Sequence, residues 1–309
     1  MTDYGHDLIL GTFITPQNQR PQDVVGLARL TERAGLDLVT FMDHPYNPGF
    51  LDTWTLMSYV AAQTERVHLS GYVLNLPSRH PAYLAKAAAS LDLLSGGRLE
   101  LGLGPGDYHV APEIEAMGGP RRTRPESIRA LSEAIEIIRG IWDTSAPDRV
   151  HLDGEHYRIP GALRGPEPAH PISLWVPAEG PVARRLVGRK ADGWITGAAW
   201  MTDVERELAE GNRMVDEAAA EAGRDPRQIR RIFDFHGTFG RAGRGMVHGQ
   251  SEDWVQQLVP LVIERGISVL ILIGNDPHAI ERWGTEVGPA LRESVARERR
   301  RSNVAKVRS

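Results

Sequence analysis

Cysteine is absent from the 309 residues of the chain. Its absence excludes disulfide bonds, thiolate nucleophiles and metal sites with cysteine ligands. A chain without cysteine is typical of a reducing compartment, because disulfide bonds persist only in oxidising ones. We therefore expect a cytoplasmic protein.

The chain also lacks a strong excess of one charge and any long apolar run. Its formal net charge is −4, and no basic stripe alternates with aromatic residues, so nothing indicates nucleic-acid binding. The longest apolar runs, such as Val269–Ile273, have the length of a strand and are too short to cross a membrane. Asp3, His6 and Asp7 interrupt the N-terminus, so we expect no signal peptide. The partner class that these exclusions leave is a small-molecule substrate.

The segment at residues 67–106 contains the pattern that the rest of the chain repeats. Residues 67–74 are rich in β-branched and apolar side chains and predict a strand. Pro81 then opens an apolar helix that stops at the glycines of residues 95–97, and residues 98–103 predict a second strand. A strand, a helix and a strand in about forty residues form a βαβ unit, whose strands are parallel.

Eight predicted strands begin near residues 8, 38, 67, 98, 172, 192, 232 and 267, and a helix follows each. Residues 143–171, rich in proline, glycine and histidine, break the pattern and predict an insertion with a small hairpin at residues 151–158. We therefore predict an α/β fold, a (β/α)8 TIM barrel with an insertion between strands 4 and 5, as one domain over residues 1–309. An open doubly wound sheet, which more often has five or six strands, is the alternative.

Candidate functional residues follow the predicted strands, because barrel sites are built at the carboxyl ends of the strands. Asp43 and His44 come directly after the second strand. A histidine can transfer a proton near neutral pH, and an adjacent carboxylate can fix its tautomer or raise its pKa. The same pair is also compatible with a local turn in which Asp43 is a cap and His44 a half-exposed loop residue.

Two glycine-containing segments are candidate anion sites. Gly104 and Gly106, next to Asp107, allow a flat or anionic ligand to approach backbone N–H groups. Glu179 and Gly180 lead directly into a helix, whose first N–H groups can hold a phosphate. Both segments are equally compatible with ordinary turns that follow a strand and bind no ligand.

Metal binding is a weaker interpretation. The 11 histidines include no His-Glu-x-x-His or similar spacing, so we expect no metal ligands. Asp234 and His236 share one face of the seventh strand, a pattern that is more often structural. Because barrel ligands can come from separate strands, His44 and His236 with nearby carboxylates leave a metal-dependent hydrolase or isomerase open as a second function. A third is a non-catalytic ligand-binding protein.

Several motifs occur together in the order known from one family. The run RHPAYLAKAAASLDLLSGGRLELGLGPGD at residues 79–107, the pair Asp43-His44, GEHYR at residues 154–158 and ADGW at residues 191–194 resemble the luciferase-like monooxygenase superfamily. Its members are flavin- or deazaflavin-dependent oxidoreductases with a (β/α)8 barrel. LGLGPGD with the Asp-His pair is most similar to the branch that uses coenzyme F420, which includes methylene-tetrahydromethanopterin reductases.

The resemblance implies where the cofactor ring lies. It places a bulge with a non-prolyl cis peptide bond at the end of strand three, between Tyr72 and Val73. The deazaflavin ring packs against this bulge in the family, and Asn75 then contacts the ring. Gly104 and Gly106 are implied to bind the cofactor as well.

The resemblance also implies catalytic roles. His44 matches the histidine that faces the reactive carbon, Asp43 its partner on the cofactor side, and Asp107 an acidic position for proton transfer. The implied reaction is hydride transfer between C5 of F420 and an electrophilic carbon of a small organic substrate. The alternative is monooxygenation with reduced FMN and oxygen. A dimer is usual in the family, so we expect a homodimer.

The phosphate of the cofactor is implied to bind at Ala178, Glu179 and Gly180, with Thr196 as a further contact. Glu179 departs from the family, which often has a second glycine there, and a carboxylate beside a phosphate is unfavourable unless it points away. The glycine-rich segment at residues 240–249, with Arg241 and Arg244, matches no family pattern and is interpreted as a lid or an anion clamp.

Overall fold

The computed structural model describes residues 2–106, 110–240 and 245–308. The strands in these ranges are β1 Ile9–Ile14, β2 Leu38–Phe41, β3 His68–Gly71, β4 Leu74–Asn75, β5 Leu101–Gly104, β6 Val150–Asp153, β7 Arg158–Ala162, β8 Leu174–Pro177, β9 Gly193–Gly197, β10 Arg230–Phe235, β11 Gly237–Phe239, β12 Val247–Gly249 and β13 Val269–Ile273. The helices are α1 Pro21–Arg33, α2 Thr53–Ala61, α3 Pro81–Ser95, α4 Ala111–Ala116, α5 Arg124–Trp142, α6 Pro181–Lys190, α7 Val204–Glu221, α8 Ser251–Ile263, α9 Pro277–Arg282 and α10 Gly288–Arg308. None of the helices in the described ranges combines the length and the apolar character that crossing a membrane requires.

Nine of these strands form one parallel sheet in the order β3, β2, β1, β13, β10, β9, β8, β5, β4. The sheet returns on itself: β4 pairs with β5, and the N–H of Leu69 in β3 donates to the carbonyl of Arg98, just before β5, at 2.8 Å. Because β3 and β4 together occupy one position, the sheet has eight positions. The predicted (β/α)8 barrel is thereby confirmed, and an open sheet is excluded.

Two predicted strands are divided in the structure. The third, predicted over residues 67–74, is divided into β3 and β4 because Leu74 packs against Gly71, where an added Cβ would lie 2.4 Å from the leucine side chain. The seventh, predicted to contain both Asp234 and His236, ends at Phe235. The next three residues form β11, which pairs with β12 in a separate small sheet. Gly237 opens β11 and leaves room for the indole ring of Trp254, which lies 2.2 Å from the position of an added Cβ.

The strands are buried on both faces. Inside the barrel, one apolar cluster consists of Leu38, Tyr72, Trp175, Ile195, Ile232, Val269 and Ile271. The alternate residues, such as Trp194, Phe233 and Leu270, belong to a larger cluster that also contains the buried faces of the helices. Burial on both faces explains why β13 is wholly apolar, as parallel strands covered by helices are. Each fully buried leucine or isoleucine contributes about 1.5–3 kcal/mol to folding.

The predicted insertion between barrel strands 4 and 5 contains a hairpin, as expected. β6 and β7 are antiparallel. The carboxylate of Glu133 in α5 accepts hydrogen bonds of 2.9–3.0 Å from the backbone N–H groups of Glu155, His156 and Tyr157, in the turn of the hairpin. The hairpin is therefore attached to the helix layer, beside α5.

Candidate active site

The candidate site residues lie along one rim of the barrel. Asp43 and His44 follow β2, Asn75 ends β4, and Gly104 ends β5. Residues 178–180 connect β8 to α6. Because the strands are parallel, all these positions lie at the carboxyl end of the barrel, where such folds build their sites. The tertiary structure thus brings the segments named from the sequence to one mouth.

Asp43 is a buried anchor between two strands. Only 2% of its surface is exposed, and it accepts hydrogen bonds from the backbone N–H of Asn75 at 2.8 Å and from Arg79 at 3.1 and 3.3 Å. Arg79 also contacts Asp52 at 2.8 Å. Burial lowers the pKa of Arg79, but the hydrogen bonds and ion pairs with Asp43 and Asp52 outweigh it, and the pKa is raised. The Arg79 guanidinium is therefore permanently charged and lies beneath the rim. Arg79 was not among the site residues predicted from the sequence.

His44 lies next to Asp43 but is exposed. Its ring stacks on Tyr46, with 5.2 Å between the ring centroids, and lies 6.3 Å from Phe50. These aromatic neighbours restrict the orientation of the imidazole. An exposed imidazole at the rim is accessible to a substrate in the mouth of the barrel. The position agrees with the role predicted for His44, which stays a prediction.

The peptide bond between Tyr72 and Val73 is cis, which confirms the expectation drawn from the resemblance. It lies in the break between β3 and β4. The Tyr72 ring points into the barrel, 5.3 Å from the ring of Phe13, and its hydroxyl donates to Asp234 at 2.9 Å. This contact crosses the interior of the barrel.

Asp234, which the sequence pattern marks as more often structural, is a buried carboxylate at the inner face of the barrel. It is 3% exposed, and burial raises its pKa to about 6, against the smaller opposite effect of the hydrogen bond from Tyr72. Burial and the charge of Asp234 raise the pKa of Tyr72 well above its usual range. The signal in the sequence is the single carboxylate within the strand RRIFDF, although its partner cannot be read from that pattern.

The glycines after β5 allow close backbone packing. A Cβ at Gly104 would lie 2.6 Å from the Val73 side chain, so only glycine fits at the end of this strand. Gly106 has a φ of +89°, which L side chains rarely adopt. Asp107 lies outside the described residues, so its predicted role in proton transfer stays a prediction. The same holds for Arg241 and Arg244.

The segment from Ala178 to Gly180 has donors for an anion. Gly180 is the N-cap of α6 and supplies no side-chain cap. Pro181 has no N–H and Arg184 donates to the carbonyl of Gly180, so Val182 and Ala183 carry the first-turn N–H groups that lack a partner in the helix. The guanidinium of Arg124 lies 3.8 Å from Glu179 and 3.6 Å from the position of an added Cβ at Gly180. Glu179 therefore has a cationic partner, and its charge is compensated beside the proposed phosphate site.

Thr196 is a buried residue of β9, near its carboxyl end. It is 2% exposed and lies two residues from Trp194 on β9, so both side chains project from the same face of the strand. The Trp194 indole donates to the carbonyl of Ala178 at 2.9 Å. Thr196 is consequently on the same side of β9 as Trp194, and its contact with the cofactor phosphate stays a prediction.

A cavity of about 290 Å³ opens at the same end of the barrel, beside β11 and β13. Its lining includes Phe239, Gly274, His278 and Arg282. The Arg282 guanidinium lies over the Phe239 ring, 4.0 Å from its centroid. No sequence motif indicated this cavity, because its walls come from two separate segments, residues 237–239 and 272–282.

The model of the luciferase-like monooxygenase family matches residues 9–241, which is most of the chain and includes seven of the eight strand positions of the barrel. This chain belongs to the luciferase-like monooxygenase family. The resemblance recognised in the sequence is thereby confirmed, and the chain is an oxidoreductase of that family.

Relatives and solved structures agree with this assignment. F420-dependent glucose-6-phosphate dehydrogenase from Beutenbergia cavernae is 31% identical over 94% of this chain and 99% of its own length. The structure of an F420-dependent secondary alcohol dehydrogenase in complex with an F420-acetone adduct has a TM-score of 0.80 at 19% identity, covering 92% of this chain and 99% of that chain. Coenzyme F420 dependent tetrahydromethanopterin reductase from Methanopyrus kandleri has a TM-score of 0.77 at 18% identity, with the same coverage. The two structures confirm the barrel fold.

Proposed function

We propose that this chain transfers a hydride between coenzyme F420 and a small organic substrate. The observation that carries the proposal is the 31% identity to an F420-dependent dehydrogenase over 94% of the chain. The positions of the site residues support it, because the proposed proton-transfer residue and the proposed phosphate loop lie at the same end of one barrel.

The residues present fit an anionic cofactor. The N–H groups of Val182 and Ala183 at the start of α6 are available beside Gly180, and a helix N-terminus favours negative charge. Arg124 adds an exposed cation at the same loop. We propose that these groups hold the cofactor phosphate with Thr196, and that Tyr72, Val73, Asn75, Gly104 and Gly106 line the place of the ring.

The bound coenzyme supplies the carbon that accepts or donates the hydride. His44 holds the substrate oxygen at the open rim and moves its proton, since an imidazole changes charge near neutral pH. Asp43 holds the start of this loop in place through Asn75 and Arg79. In this proposal Asp43 positions the rim, and Asp107 is the second candidate for proton transfer.

Binding of F420 and of FMN to the apoprotein, measured side by side, tests the proposal. The fluorescence of the seven tryptophans reports binding, and two of them, Trp175 and Trp194, are buried at β8 and β9. We expect F420 to bind more tightly. Tighter binding of FMN would assign the chain to the flavin-dependent monooxygenases of the family. Turnover that needs no F420, is lost with a chelator and is restored by a divalent ion would favour the metal-dependent hydrolase or isomerase.

A further inference from the structure

Three ligand-type side chains meet at the opposite end of the barrel from the candidate active site. His68 begins β3, Glu100 precedes β5, and His170 lies in the segment that returns from the insertion to β8. One ligating atom from each of the three lies within 4.8 Å of the other two. Glu100 is 32 positions after His68, and His170 is 70 positions after Glu100. The barrel brings these three residues together at the amino ends of its strands.

His170 is held in one orientation. Its Nδ1 lies 2.9 Å from Oδ1 of Asp92, a fully buried carboxylate that also accepts the backbone N–H groups of Leu99 and His170. The Asp92 carboxylate holds the ring at Nδ1, and Nε2 faces Oε1 of Glu100. That Nε2 is shielded from solvent and has no hydrogen-bond partner within the described ranges.

Glu100 is equally well positioned. It is 8% exposed, and its Oε2 accepts the backbone N–H of Ser173 at 3.0 Å. Its Oε1 lies 3.6 Å from Nδ1 of His68 and 3.6 Å from Nε2 of His170. One carboxylate oxygen therefore faces both imidazole rings, while the other is occupied by the backbone.

We propose that His68, Glu100 and His170 bind a divalent transition-metal ion, for which Zn²⁺ is the best match. Two imidazole nitrogens and one carboxylate oxygen are zinc ligands, and bond lengths of about 2.0–2.2 Å place tetrahedral ligand atoms roughly 3.4 Å apart. The observed 3.6 Å separations are close to this value. Asp92 is the outer carboxylate that metal-binding histidines commonly contact. The His68 side chain is 40% exposed, which leaves a fourth position for water.

The ion would stabilise the fold by joining the end of the insertion to the floor of the barrel. The proposal does not rest on the proposed function, because the cluster and the rim lie at opposite ends of the strands. It departs from the expectation of no metal ligands, since the sequence analysis considered motif spacing and the residues at the mouth of the barrel but not its opposite end. The competing account is an ion-paired cluster of the same residues with no affinity for metal.

Zinc binding by the full chain, purified without a polyhistidine tag and treated with a chelator, distinguishes the two accounts. Competition against a chromophoric zinc indicator measures the affinity, and elemental analysis measures the stoichiometry. We expect one ion per chain. At free zinc about 100-fold above Kd, binding adds about 2.7 kcal/mol, and for a chain of this length we expect the melting temperature to rise by roughly 4 °C.

The substitutions His68→Gln and His170→Ala test the ligands, and His151→Ala, in the exposed hairpin, is the matched control. We expect at least a 10–100-fold loss of affinity in the first two and none in the control. His68→Gln is the safer variant, because it leaves the His170–Asp92 and Glu100–Ser173 contacts in place. Absent zinc binding by the original chain, or equal binding by the ligand variants, would overturn the proposal. Removal of zinc should leave F420 affinity unchanged.

Discussion

His44 is the residue on which the proposed proton transfer depends. We expect His44→Ala to slow turnover by about 10²–10⁴-fold, the usual contribution of general acid–base catalysis. The affinity for F420, followed by tryptophan fluorescence, should change much less, because the proposed cofactor contacts lie on other strands. Steady-state kinetics with reduced or oxidised F420 checks the first expectation.

His44→Asn separates two roles of this residue, since asparagine donates a hydrogen bond but cannot transfer a proton. A large loss in this variant supports proton transfer. Near-normal turnover would mean that His44 only orients the substrate, and Asp107 would become the better candidate. Thermal unfolding of both variants serves as the control for a structural role.

Asp234 predicts a pH dependence of stability. Its pKa in the folded protein, about 6, lies above the ordinary 3.8, so the folded chain binds a proton more tightly than the unfolded chain. The stabilisation by this proton is complete below about pH 4 and is lost as the pH rises through 6. Asp234→Asn keeps an acceptor for Tyr72 and removes the titration. Between pH 4 and pH 8, the original chain should therefore lose up to about 3 kcal/mol of its free energy of unfolding that the variant does not lose.

Urea unfolding at several pH values measures this difference. Tyr72→Phe is the complementary variant, because it removes the donor from the carboxylate and should steepen the loss of stability toward high pH. Parallel stability curves for Asp234→Asn and the original chain would contradict the assignment of a raised pKa.

At the scale of elements, helix α6 combines an uncapped N-terminus with a neighbouring cation from α5. If this end holds the cofactor phosphate, Arg124→Ala should weaken F420 binding about 10-fold, equivalent to roughly 1.4 kcal/mol for a charge-assisted contact. The loss should shrink at high salt, because Arg124 is exposed and its interaction is screened.

Arg213→Ala is the matched control for Arg124→Ala. Arg213 is an exposed arginine of α7, 2.7 Å from Glu217. The same loss of F420 affinity in both variants would indicate a general effect of net charge. Unchanged affinity in Arg124→Ala would contradict the proposal that the cofactor phosphate binds at this loop. Fluorescence titration with F420 at two salt concentrations gives both answers.

For the whole molecule, the expected homodimer has a candidate interface on helix α3, which substitutions can test. Tyr83 and Leu94 of α3 are 79% and 87% exposed, and their spacing of three helical turns puts them on one side of the helix. Tyr59 of α2 is a further exposed aromatic residue. Exposed apolar side chains that share a face are typical of interfaces. We expect light scattering to give twice the 34.1 kDa of one chain.

The double substitution of Tyr83→Lys and Leu94→Lys should then give a monomer, because two charges would be buried without partners. Leu163→Lys, at an apolar residue that is 70% exposed after β7, should leave the dimer intact. A monomeric original chain, or a dimer that survives the double substitution, would contradict the expectation. The interpretation of residues 1–309 as one domain also stays a prediction.

The sequence by itself determined the type and order of the elements and the end of the barrel at which the candidate residues lie. Apolar periodicity and the prolines and glycines at the ends of the elements are local properties, so strands such as β13 and helices such as α5 could be predicted. The rim position of Asp43 and His44 followed, because residues after parallel strands share one edge. The motifs of the family added the cis bond between Tyr72 and Val73, which no local pattern indicates.

The tertiary structure alone decided which side chains meet. Asp43 contacts Arg79, 36 residues away, and Tyr72 contacts Asp234, 162 residues away. The cluster of His68, Glu100 and His170 has no spacing that resembles a metal motif. A periodic pattern in the sequence predicts which face of a strand a residue occupies, but it does not predict the residue's partner. The partner across the barrel depends on closure and register, which are set by the packing of all eight βα units together.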